Sequence, residues 1–170
     1  MNKISIMFSQ EQISKIVEEL AQTLSKEYEG KSVLVISVLT GAFIFTADLI
    51  RNLNLDIELK FIRAKSYSGT ESTGDVSITG TDKIDFKGKD VLVIEDIIDT
   101  GRTLKAIKEE LYDLGCKSVK IITFLDKPSR RVVDLTPDYC CYEIEDKFVV
   151  GYGLDFDDKY RQLPYLGIIE

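Results

Sequence analysis

The sequence of 170 residues contains no histidine. This absence excludes serine and cysteine nucleophiles that are activated by a neighbouring imidazole, because such pairs need histidine as the base. It also makes a zinc site unexpected, since imidazole is one of the main protein ligands of zinc. The chemistry of any site must therefore be sought among the other polar residue types.

Cysteine is scarce, and its spacing is not that of a disulfide framework. Cys116, Cys140 and Cys141 form no Cys-x-x-Cys pair. Cys140 and Cys141 are neighbours in a predicted strand, so their side chains should point to opposite faces of the sheet. We expect three buried or half-buried thiols in a reducing cytoplasm.

Long apolar runs and an excess of positive charge are also missing. No apolar run approaches the ~20 residues that a membrane-spanning helix needs, and the first residues do not begin a signal peptide. We therefore expect a cytoplasmic protein without a membrane partner. The 22 basic and 29 acidic residues give a net charge of −7, which argues against nucleic acid as the main partner. A polyanionic substrate would need a local basic pocket or a metal.

Short apolar runs of strand length alternate with helical patterns along the chain. This alternation predicts an α/β fold with a mainly parallel sheet, and the length predicts a single domain, 1–170. Ser9 and Gln12 have the spacing of a capping box at the start of the first helix. The predicted elements are helices at 9–28, 42–52 and 101–114, and strands at 33–38, 59–64, 91–94, 119–125, 139–144 and 148–154.

The segment 91–104 is the centre of the functional analysis. An apolar run, Val91–Ile94, predicts a buried parallel strand, and three acids follow it within five residues: Glu95, Asp96 and Asp99. Open α/β sheets bind ligands at the carboxyl ends of their strands. The helix start after Gly101 offers unpaired N–H groups that suit a phosphate. Together these features predict a phosphorylated sugar, with Mg²⁺ screening the acids from the phosphate.

Three other segments are candidate parts of the same site. Gly41 lies between a strand and a helix, as in a second anion-binding loop, and Lys127 follows the end of another strand. The stretch 65–76 is rich in Ser, Thr and Gly, which is typical of a mobile lid or of a plain surface hairpin. The acids after residue 154 are typical of a solvated loop. Arg130 and Arg131 are interpreted as surface charge.

The tripeptide Asp99-Thr100-Gly101 has two other interpretations. It is also the signature of aspartic proteases, but that loop belongs to an all-β fold, whereas a helix follows it here. A purely structural turn between strand and helix would explain Gly101. It would not explain three acids at the edge of a buried strand, because unpaired carboxylates there repel one another and lose hydration.

The segment Val91–Leu104 resembles the phosphoribosyl-pyrophosphate signature of the phosphoribosyltransferases: an apolar strand, two acids, two apolar residues, then Asp-Thr-Gly-Arg-Thr. The likeness covers nearly the whole chain. Leu39–Gly41, Lys65–Tyr67 with Ser72–Asp75, and Asp146–Tyr152 resemble, in order, the other signature segments of the hypoxanthine-guanine branch of that family. Four ordered segments are more specific than one loop.

This resemblance implies a reaction and roles for the central segment. The family transfers 5-phosphoribosyl from phosphoribosyl pyrophosphate to a purine nitrogen, releases pyrophosphate and requires Mg²⁺. Glu95 and Asp96 are implied to hold the ribose hydroxyls, directly or through Mg²⁺, and Asp99 is implied to take the purine N7 proton as general base. The residues implied to surround the 5′-phosphate are Asp99, Thr100, Gly101, Arg102 and Thr103.

The resemblance also implies which residues bind the pyrophosphate and which bind the purine. The resemblance implies a pyrophosphate loop with a cis peptide before its middle residue; many relatives have lysine there, and Thr40 departs from them. Lys127 is implied to donate to O6 of a 6-oxopurine, and Asp155 to hold a second Mg²⁺ beside the base. The residues implied for pyrophosphate are Leu39, Thr40, Gly41, Arg161, Ser66 and Tyr67, and those for the purine are Lys127, Phe148, Val149 and Asp155.

The resemblance also implies a type I phosphoribosyltransferase fold, with a small hood and a lid. We expect the hood from the N-terminal segment and about 133–170, the lid at about 65–82, and a homodimer or homotetramer. The expected function is purine salvage, giving IMP from hypoxanthine and GMP from guanine. The nearest alternative, an RNA-binding regulator on the same fold, is opposed by Asp99 and the acidic composition. A phosphoribosyl-pyrophosphate synthetase has a similar loop but a much longer chain.

Overall fold

The computed structural model describes residues 3–66 and 75–170, and within them the chain forms nine strands and three α-helices. The helices are α1 (Gln10–Glu27), α2 (Phe43–Asn52) and α3 (Arg102–Asp113). The strands are β1 (Ile4–Phe8), β2 (Ser32–Leu39), β3 (Asp56–Ser66), β4 (Val76–Thr79), β5 (Asp90–Ile98), β6 (Ser118–Asp126), β7 (Tyr139–Glu143), β8 (Val149–Val150) and β9 (Leu166–Ile169). Short 3₁₀ turns lie at Thr81–Lys83 and Pro128–Arg130.

Six strands form one sheet in the order β4-β3-β2-β5-β6-β7 among the described residues. All neighbours in this sheet are parallel except β3 and β4, which form an antiparallel pair at one edge. The prediction of an α/β fold with a mainly parallel sheet is therefore confirmed. Because β5 lies between β2 and β6, its carboxyl end is the middle of the edge where ligands bind in such sheets.

The two faces of the sheet are covered by different helices, and alternate residues of each strand serve the two faces. Leu92 and Ile94 of β5 pack with α1 and α2, whereas Val91 and Val93 pack with α3. All four are fully buried, and burying such a side chain stabilises a fold by roughly 1.5–3 kcal/mol. The uninterrupted apolar runs in the sequence reflect this burial on both faces.

Strand β5 is longer than the apolar run predicted. It continues through the acids to Ile98, because the ladder with β6 continues: Glu95 pairs with Thr123, and Ile98 pairs with Asp126. Glu95 and Asp96 are therefore strand residues, held by the sheet rather than by a loop. This placement fixes their backbone positions more firmly than a turn would.

The start of α1 has the predicted capping box. The backbone N–H of Gln12 donates to Ser9 Oγ at 3.2 Å, and the N–H of Ser9 donates to Gln12 Oε1 at 2.8 Å. These two bonds satisfy backbone donors that the first turn of a helix would otherwise leave unpaired.

Strands β1, β9 and β8 form a separate, antiparallel three-stranded sheet. It joins the amino-terminal segment to the last residues of the chain, within the ranges expected for a hood. Strand β7 also lies in the expected hood range, but it pairs with β6 in the main sheet. The strand predicted at 148–154 shortens to Val149–Val150, because Gly151 begins a run of positive φ angles that ends the extended backbone.

The expected lid is described only in part. Strands β3 and β4 pair from Arg63 with Thr79 to Ser66 with Val76, and Tyr67 lies outside the described residues, as do residues 68–74. Among the residues that the structure describes, no helix is both long and apolar enough to cross a membrane.

Candidate active site

A cavity of about 210 Å³ opens at the carboxyl end of β5. It lies between the end of β3, the acidic end of β5 and the first turn of α3. Because β5 is the middle strand of the sheet, segments that follow β2, β6 and β7 meet near this cavity. The residues that line it are Ala64, Ser66, Glu95, Asp96, Ile97, Ile98, Asp99, Thr100, Gly101, Thr103 and Leu104.

The first turn of α3 presents backbone donors to this cavity. The helix begins after Gly101, and the first intrahelical bond runs from the N–H of Lys105 to the carbonyl of Gly101 at 2.9 Å. Gly101 has no side chain to cap this end, so the N–H groups before Lys105 have no partner within the helix. The N–H of Arg102 makes one long contact, of 3.4 Å, with Thr100 Oγ1 outside the helix. A cavity lined by such donors suits an anion with several oxygens, such as a phosphate.

Glycine is required at position 101 for two reasons. Its φ angle is +87°, a conformation that costs other L-residues free energy. A Cβ atom there would also lie 2.8 Å from Arg131 Cδ and 2.9 Å from Val133 Cγ2. The sharp turn that aims the α3 donors at the cavity therefore depends on Gly101.

Glu95 and Asp96 form a pair of carboxyl groups at the floor of the cavity. Glu95 Oε1 accepts a hydrogen bond from the N–H of Asp96 at 3.0 Å, and Asp96 Oδ1 accepts one from the N–H of Ile97 at 2.7 Å. Burial and the adjacent Asp96 raise the pKa of Glu95 well above its usual value. Burial also raises the pKa of Asp96. Burial disfavours the ionised form of both acids, and a bound cation or hydroxyl donors would stabilise that form.

The loop after β2 approaches these acids closely. A Cβ atom on Gly41 would lie 1.8 Å from Asp96 Oδ2, so only glycine allows this contact. The peptide bond between Leu39 and Thr40 is cis, as the family resemblance predicted. On its other side the loop meets Gly153, where a Cβ atom would lie 2.3 Å from the carbonyl oxygen of Gly41. Two glycines thus bring three segments together.

Asp99 lies at the rim of the cavity and is paired with Arg130. The Arg130 Nε donates to Asp99 Oδ1 at 2.9 Å, and both side chains are about half exposed. Arg130 is exposed, as predicted for a surface charge, and it is paired with an implied site residue. The 3₁₀ turn Pro128–Arg130 folds the chain back after β6, and this brings Arg130 beside the end of β5.

The interpretation of Arg131 as surface charge is wrong, because its side chain is only 14% exposed. Its guanidinium pairs with the carboxylate of Asp126, which is only 3% exposed. It also donates to the carbonyl of Leu135 at 2.6 Å and to the carbonyl of Asp99 at 3.2 Å. Burial raises the pKa of Asp126, and Arg131 opposes that rise. Arg131 therefore anchors the backbone at Asp99.

Lys127 follows β6 and lies next to the end of β5. Its N–H donates to the carbonyl of Ile98 at 3.0 Å, and its side chain is 11% exposed. The Nζ atom lies 3.4 Å from Asp146 Oδ1. A nearly buried ammonium with one partner retains donors for a ligand, because the group carries three.

Phe148 is 55% exposed, a large exposed fraction for a phenyl ring. Its ring meets that of Phe156 edge to face, with the centroids 5.5 Å apart. The next residue, Val149, is buried in β8. This arrangement leaves one aromatic face available to a flat apolar ligand.

Asp155 and Arg161 form an ion pair on the far side of the site. Arg161 Nη2 lies 3.2 Å from Asp155 Oδ1, and Arg161 Nη1 donates to the carbonyl of Gly153 at 2.6 Å. The loop between them contains three residues with positive φ: Asp157, Asp158 and Tyr160. Strained backbone of this kind clusters at functional sites.

The site offers carboxylates for a metal but no complete protein cage. Among residues 3–66 and 75–170, no three histidine, cysteine, aspartate or glutamate side chains group as metal ligands. Mg²⁺ is commonly held by one or two carboxylates together with substrate phosphates and water. The Glu95–Asp96 pair, two adjacent carboxyl groups whose pKa values are raised mainly by burial, fits that kind of binding.

The structure brings most of the predicted site residues to one edge of the sheet. Ser66, Glu95, Asp96, Asp99, Thr100, Gly101 and Thr103 line the cavity; the Leu39–Gly41 loop touches Asp96; Arg102 begins α3. Sequence reasoning missed Asp126, Arg130, Arg131 and Asp146 as partners of these residues. Only Asp126 carried a signal, since an acid at the end of a buried strand needs a cation.

Comparisons with known proteins show consistent similarity. Residues 5–157 match the family model described as "Phosphoribosyl transferase domain". A hypoxanthine-guanine phosphoribosyltransferase of Streptococcus thermophilus is 47% identical over 97% of this chain and 92% of its own length. The crystal structure of a hypoxanthine-guanine phosphoribosyltransferase from Bacillus anthracis is 43% identical, with a TM-score of 0.94 over 100% of both chains. That of a hypoxanthine phosphoribosyltransferase from Staphylococcus aureus is 42% identical, with a TM-score of 0.93 over 98% of this chain and 91% of its own.

Proposed function

Since the chain belongs to the phosphoribosyl transferase family, in its hypoxanthine-guanine branch, we propose a role for each part of the site in that family's reaction. The protein is a purine salvage enzyme that transfers 5-phosphoribosyl from phosphoribosyl pyrophosphate to a purine base. We infer that hypoxanthine and guanine are the bases and that IMP and GMP are the products. The observation that carries the assignment of the sugar phosphate is the uncapped first turn of α3 beside Glu95 and Asp96.

The 5′-phosphate binds in the cavity at the start of α3. Thr100, Gly101, Arg102 and Thr103 supply backbone N–H groups and hydroxyls there. The positive end of the helix dipole and the unpaired donors both favour a dianion. This binding fixes the ribose with its reacting carbon toward the purine, which lowers the entropy cost of the transfer.

Glu95 and Asp96 hold the ribose hydroxyls. The two adjacent carboxylates would also hold Mg²⁺, since Mg²⁺ prefers oxygen ligands and is commonly bound by one or two carboxylates together with substrate phosphates. When bound, Mg²⁺ neutralises charge on the leaving pyrophosphate. The carboxylates themselves stabilise positive charge that develops on the ribose ring as the bond to pyrophosphate breaks.

Asp99 accepts the proton that leaves purine N7. As N9 forms its bond to the ribose carbon, positive charge builds on the purine, and the N7–H electron pair returns to the ring. A general base at this position contributes roughly 10²–10⁴-fold to the rate. Asp99 lies at the cavity rim, beside the first turn of α3, and is therefore close to both reactants.

The pyrophosphate lies between the Leu39–Gly41 loop and Arg161. The loop offers backbone donors, and Arg161 offers a guanidinium suited to phosphate oxygens. Thr40 supplies a hydroxyl where many relatives have lysine, so this side of the site carries one positive charge fewer. Ser66 and Tyr67 contribute from the lid, which keeps water from hydrolysing the activated sugar.

The purine stacks on Phe148, whose ring is exposed toward solvent. Lys127 donates to O6, which selects 6-oxopurines over adenine, because the 6-amino group of adenine is itself a donor. The backbone of Val149 meets the opposite edge of the ring, and carbonyl acceptors there suit the 2-amino group of guanine. Asp155 would hold a second Mg²⁺ next to the base.

We further propose a homodimer or homotetramer. The 1–170 domain organisation, with its hood and lid, and the cytoplasmic location also remain predictions.

An ultraviolet assay tests the proposal. Purified protein is mixed with Mg²⁺, phosphoribosyl pyrophosphate and one of hypoxanthine, guanine, xanthine or adenine. We expect nucleotide from hypoxanthine and guanine and none from adenine. Asp99→Asn should then retain the fold and bind phosphoribosyl pyrophosphate, while kcat falls by about 10²–10⁴-fold. Wild-type turnover in Asp99→Asn would remove Asp99 from the role of base.

A further inference from the structure

Four charged side chains form a row along the carboxyl edge of the sheet. Lys127 Nζ lies 3.4 Å from Asp146 Oδ1, and Arg130 Nη1 lies 3.6 Å from Asp146 Oδ2. Arg130 Nε in turn donates to Asp99 Oδ1 at 2.9 Å. The charges therefore alternate in sign from Lys127 through Asp146 and Arg130 to Asp99.

The two ends of this row are the residues proposed to contact O6 and N7 of the purine. These two purine atoms are adjacent on one edge of the base, so their partners must lie side by side. The backbones of the two segments are joined by the 3.0 Å bond from Lys127 N to Ile98 O. Backbone pairing alone leaves the tips of long side chains free to rotate. The inner residues, Asp146 and Arg130, restrict that rotation.

We propose that Arg130 and Asp146 are positioning residues that hold Asp99 and Lys127 side by side against the O6–N7 edge of the purine. The inference rests on the proposed function. Arg130 engages one oxygen of the Asp99 carboxylate, and the second oxygen of the same group accepts the N7 proton. In that step the N7–H bond breaks, its electron pair stays in the ring, and an O–H bond forms on Asp99. After Asp99 has taken the proton and is neutral, the charge of Arg130 is still balanced by Asp146.

The exposure of the row argues against a role in folding. The side chains of Asp99, Arg130 and Asp146 are 43%, 48% and 51% exposed. Ion pairs at such exposure contribute little to stability, because water screens them. The adjacent Arg131 is different, since it holds a buried carboxylate. Substitutions at Arg130 and Asp146 should therefore change catalysis without unfolding the protein.

Arg130→Gln tests the link to Asp99. We expect kcat with hypoxanthine to fall about two- to fivefold, because water screens an ion pair at this exposure and keeps its contribution small. The KM for phosphoribosyl pyrophosphate and the melting temperature should not change. Arg130→Lys should recover part of kcat, because it restores the charge but not the guanidinium geometry. The matched control is Lys120→Gln, which breaks a remote 2.8 Å ion pair with Glu27 and should leave kcat unchanged.

Asp146→Asn tests the link to Lys127. We expect the KM for hypoxanthine to rise, because the ammonium of Lys127 loses its charged partner. The double variant Arg130→Gln/Asp146→Asn should lose less than the product of the two single effects, since both changes break the same row. Fully independent effects would show that the row does not act as a unit.

The outcomes separate this inference from the proposed function. Reduced kcat in Arg130→Gln, with partial rescue by lysine and an unchanged melting temperature, supports it. Wild-type kcat in Arg130→Gln overturns it, and so does a loss of kcat that parallels a loss of melting temperature and that lysine does not rescue. If the wild-type protein itself forms no nucleotide, the proposed function fails, and this inference fails with it.

Discussion

The hydroxyl of Tyr152 donates a 2.6 Å hydrogen bond to Asp48 Oδ2, which joins α2 to the segment after β8, 104 residues along the chain. Tyr152 follows the proposed purine contacts of β8, and Asp48 lies on α2, just beyond the Leu39–Gly41 loop. Burial and the bond to Asp48 raise the pKa of Tyr152, so its hydroxyl remains a donor at neutral pH. The bond thereby connects the segment after the proposed purine contacts with the helix after the proposed pyrophosphate loop.

Tyr152→Phe keeps the ring and removes this connection. We expect the free energy of unfolding to fall by about 1.5–3 kcal/mol, the range for hydrogen bonds with a charged partner. The KM values for purine and for phosphoribosyl pyrophosphate should both rise. Denaturant unfolding and steady-state kinetics measure these effects. Tyr139→Phe, at the amino end of β7, is the control. If the free energy of unfolding and both KM values are unchanged, the hydrogen bond between Tyr152 and Asp48 does not support the site.

Arg131→Met should be strongly destabilising, whereas Arg130→Met should not. Removing one partner of a buried ion pair costs about 3–5 kcal/mol, because the other charge stays buried alone. Asp126 would be that charge, at 5% side-chain exposure. The double variant Asp126→Leu/Arg131→Met should recover much of the loss in denaturant unfolding. Equal free energies of unfolding for Arg130→Met and Arg131→Met would show that the two arginines do not differ in their contribution to stability.

Cys140 and Cys141 should be nearly unreactive in the folded protein. Burial raises the pKa of Cys140 to about 11 and that of Cys141 to about 12. At pH 8 only about one Cys140 thiol in a thousand is then ionised, and the thiolate is the reactive form. Alkylation by iodoacetamide at pH 8 should therefore be about a hundredfold slower for Cys140 in the folded than in the unfolded chain. Comparable rates would contradict the burial.

The same shifts make stability depend on pH in a known direction. Each pKa is higher in the folded state than its ordinary value of 9.0, so the folded state holds these protons more tightly. The contribution to stability is complete below pH 9.0 and is lost as pH rises through the folded values. A Cys140→Ala/Cys141→Ala variant should therefore lose less stability than the wild-type protein between neutral and strongly alkaline pH.

Removal of Mg²⁺ should abolish stabilisation by phosphoribosyl pyrophosphate. A ligand at 100 times its Kd stabilises the folded state by about 2.7 kcal/mol. We expect a rise in melting temperature with Mg²⁺ and phosphoribosyl pyrophosphate together, and little rise when EDTA replaces Mg²⁺. Glu95→Gln/Asp96→Asn should reduce the Mg²⁺-dependent part. An equal rise with and without Mg²⁺ would contradict a metal held between these acids and the substrate.

The sequence correctly predicted the positions of those site residues that directly follow the end of a strand. Asp99 and Lys127 could be placed together because parallel strands end at the same edge of the sheet. Arg130 could not be placed, because its contact with Asp99 depends on the 3₁₀ turn Pro128–Arg130. The contact between Tyr152 and Asp48 spans 104 residues and leaves no local pattern. Likewise, the apolar run of β5 ended at Ile94, although its ladder continues to Ile98.

A crystal structure of the protein with IMP tests the central claim most directly. The predicted result is a 5′-phosphate within hydrogen-bonding distance of the backbone N–H groups of residues 100–103, with the ribose hydroxyls on Glu95 and Asp96 and N7 facing Asp99. A nucleotide bound elsewhere, with water alone at the start of α3, would contradict the account.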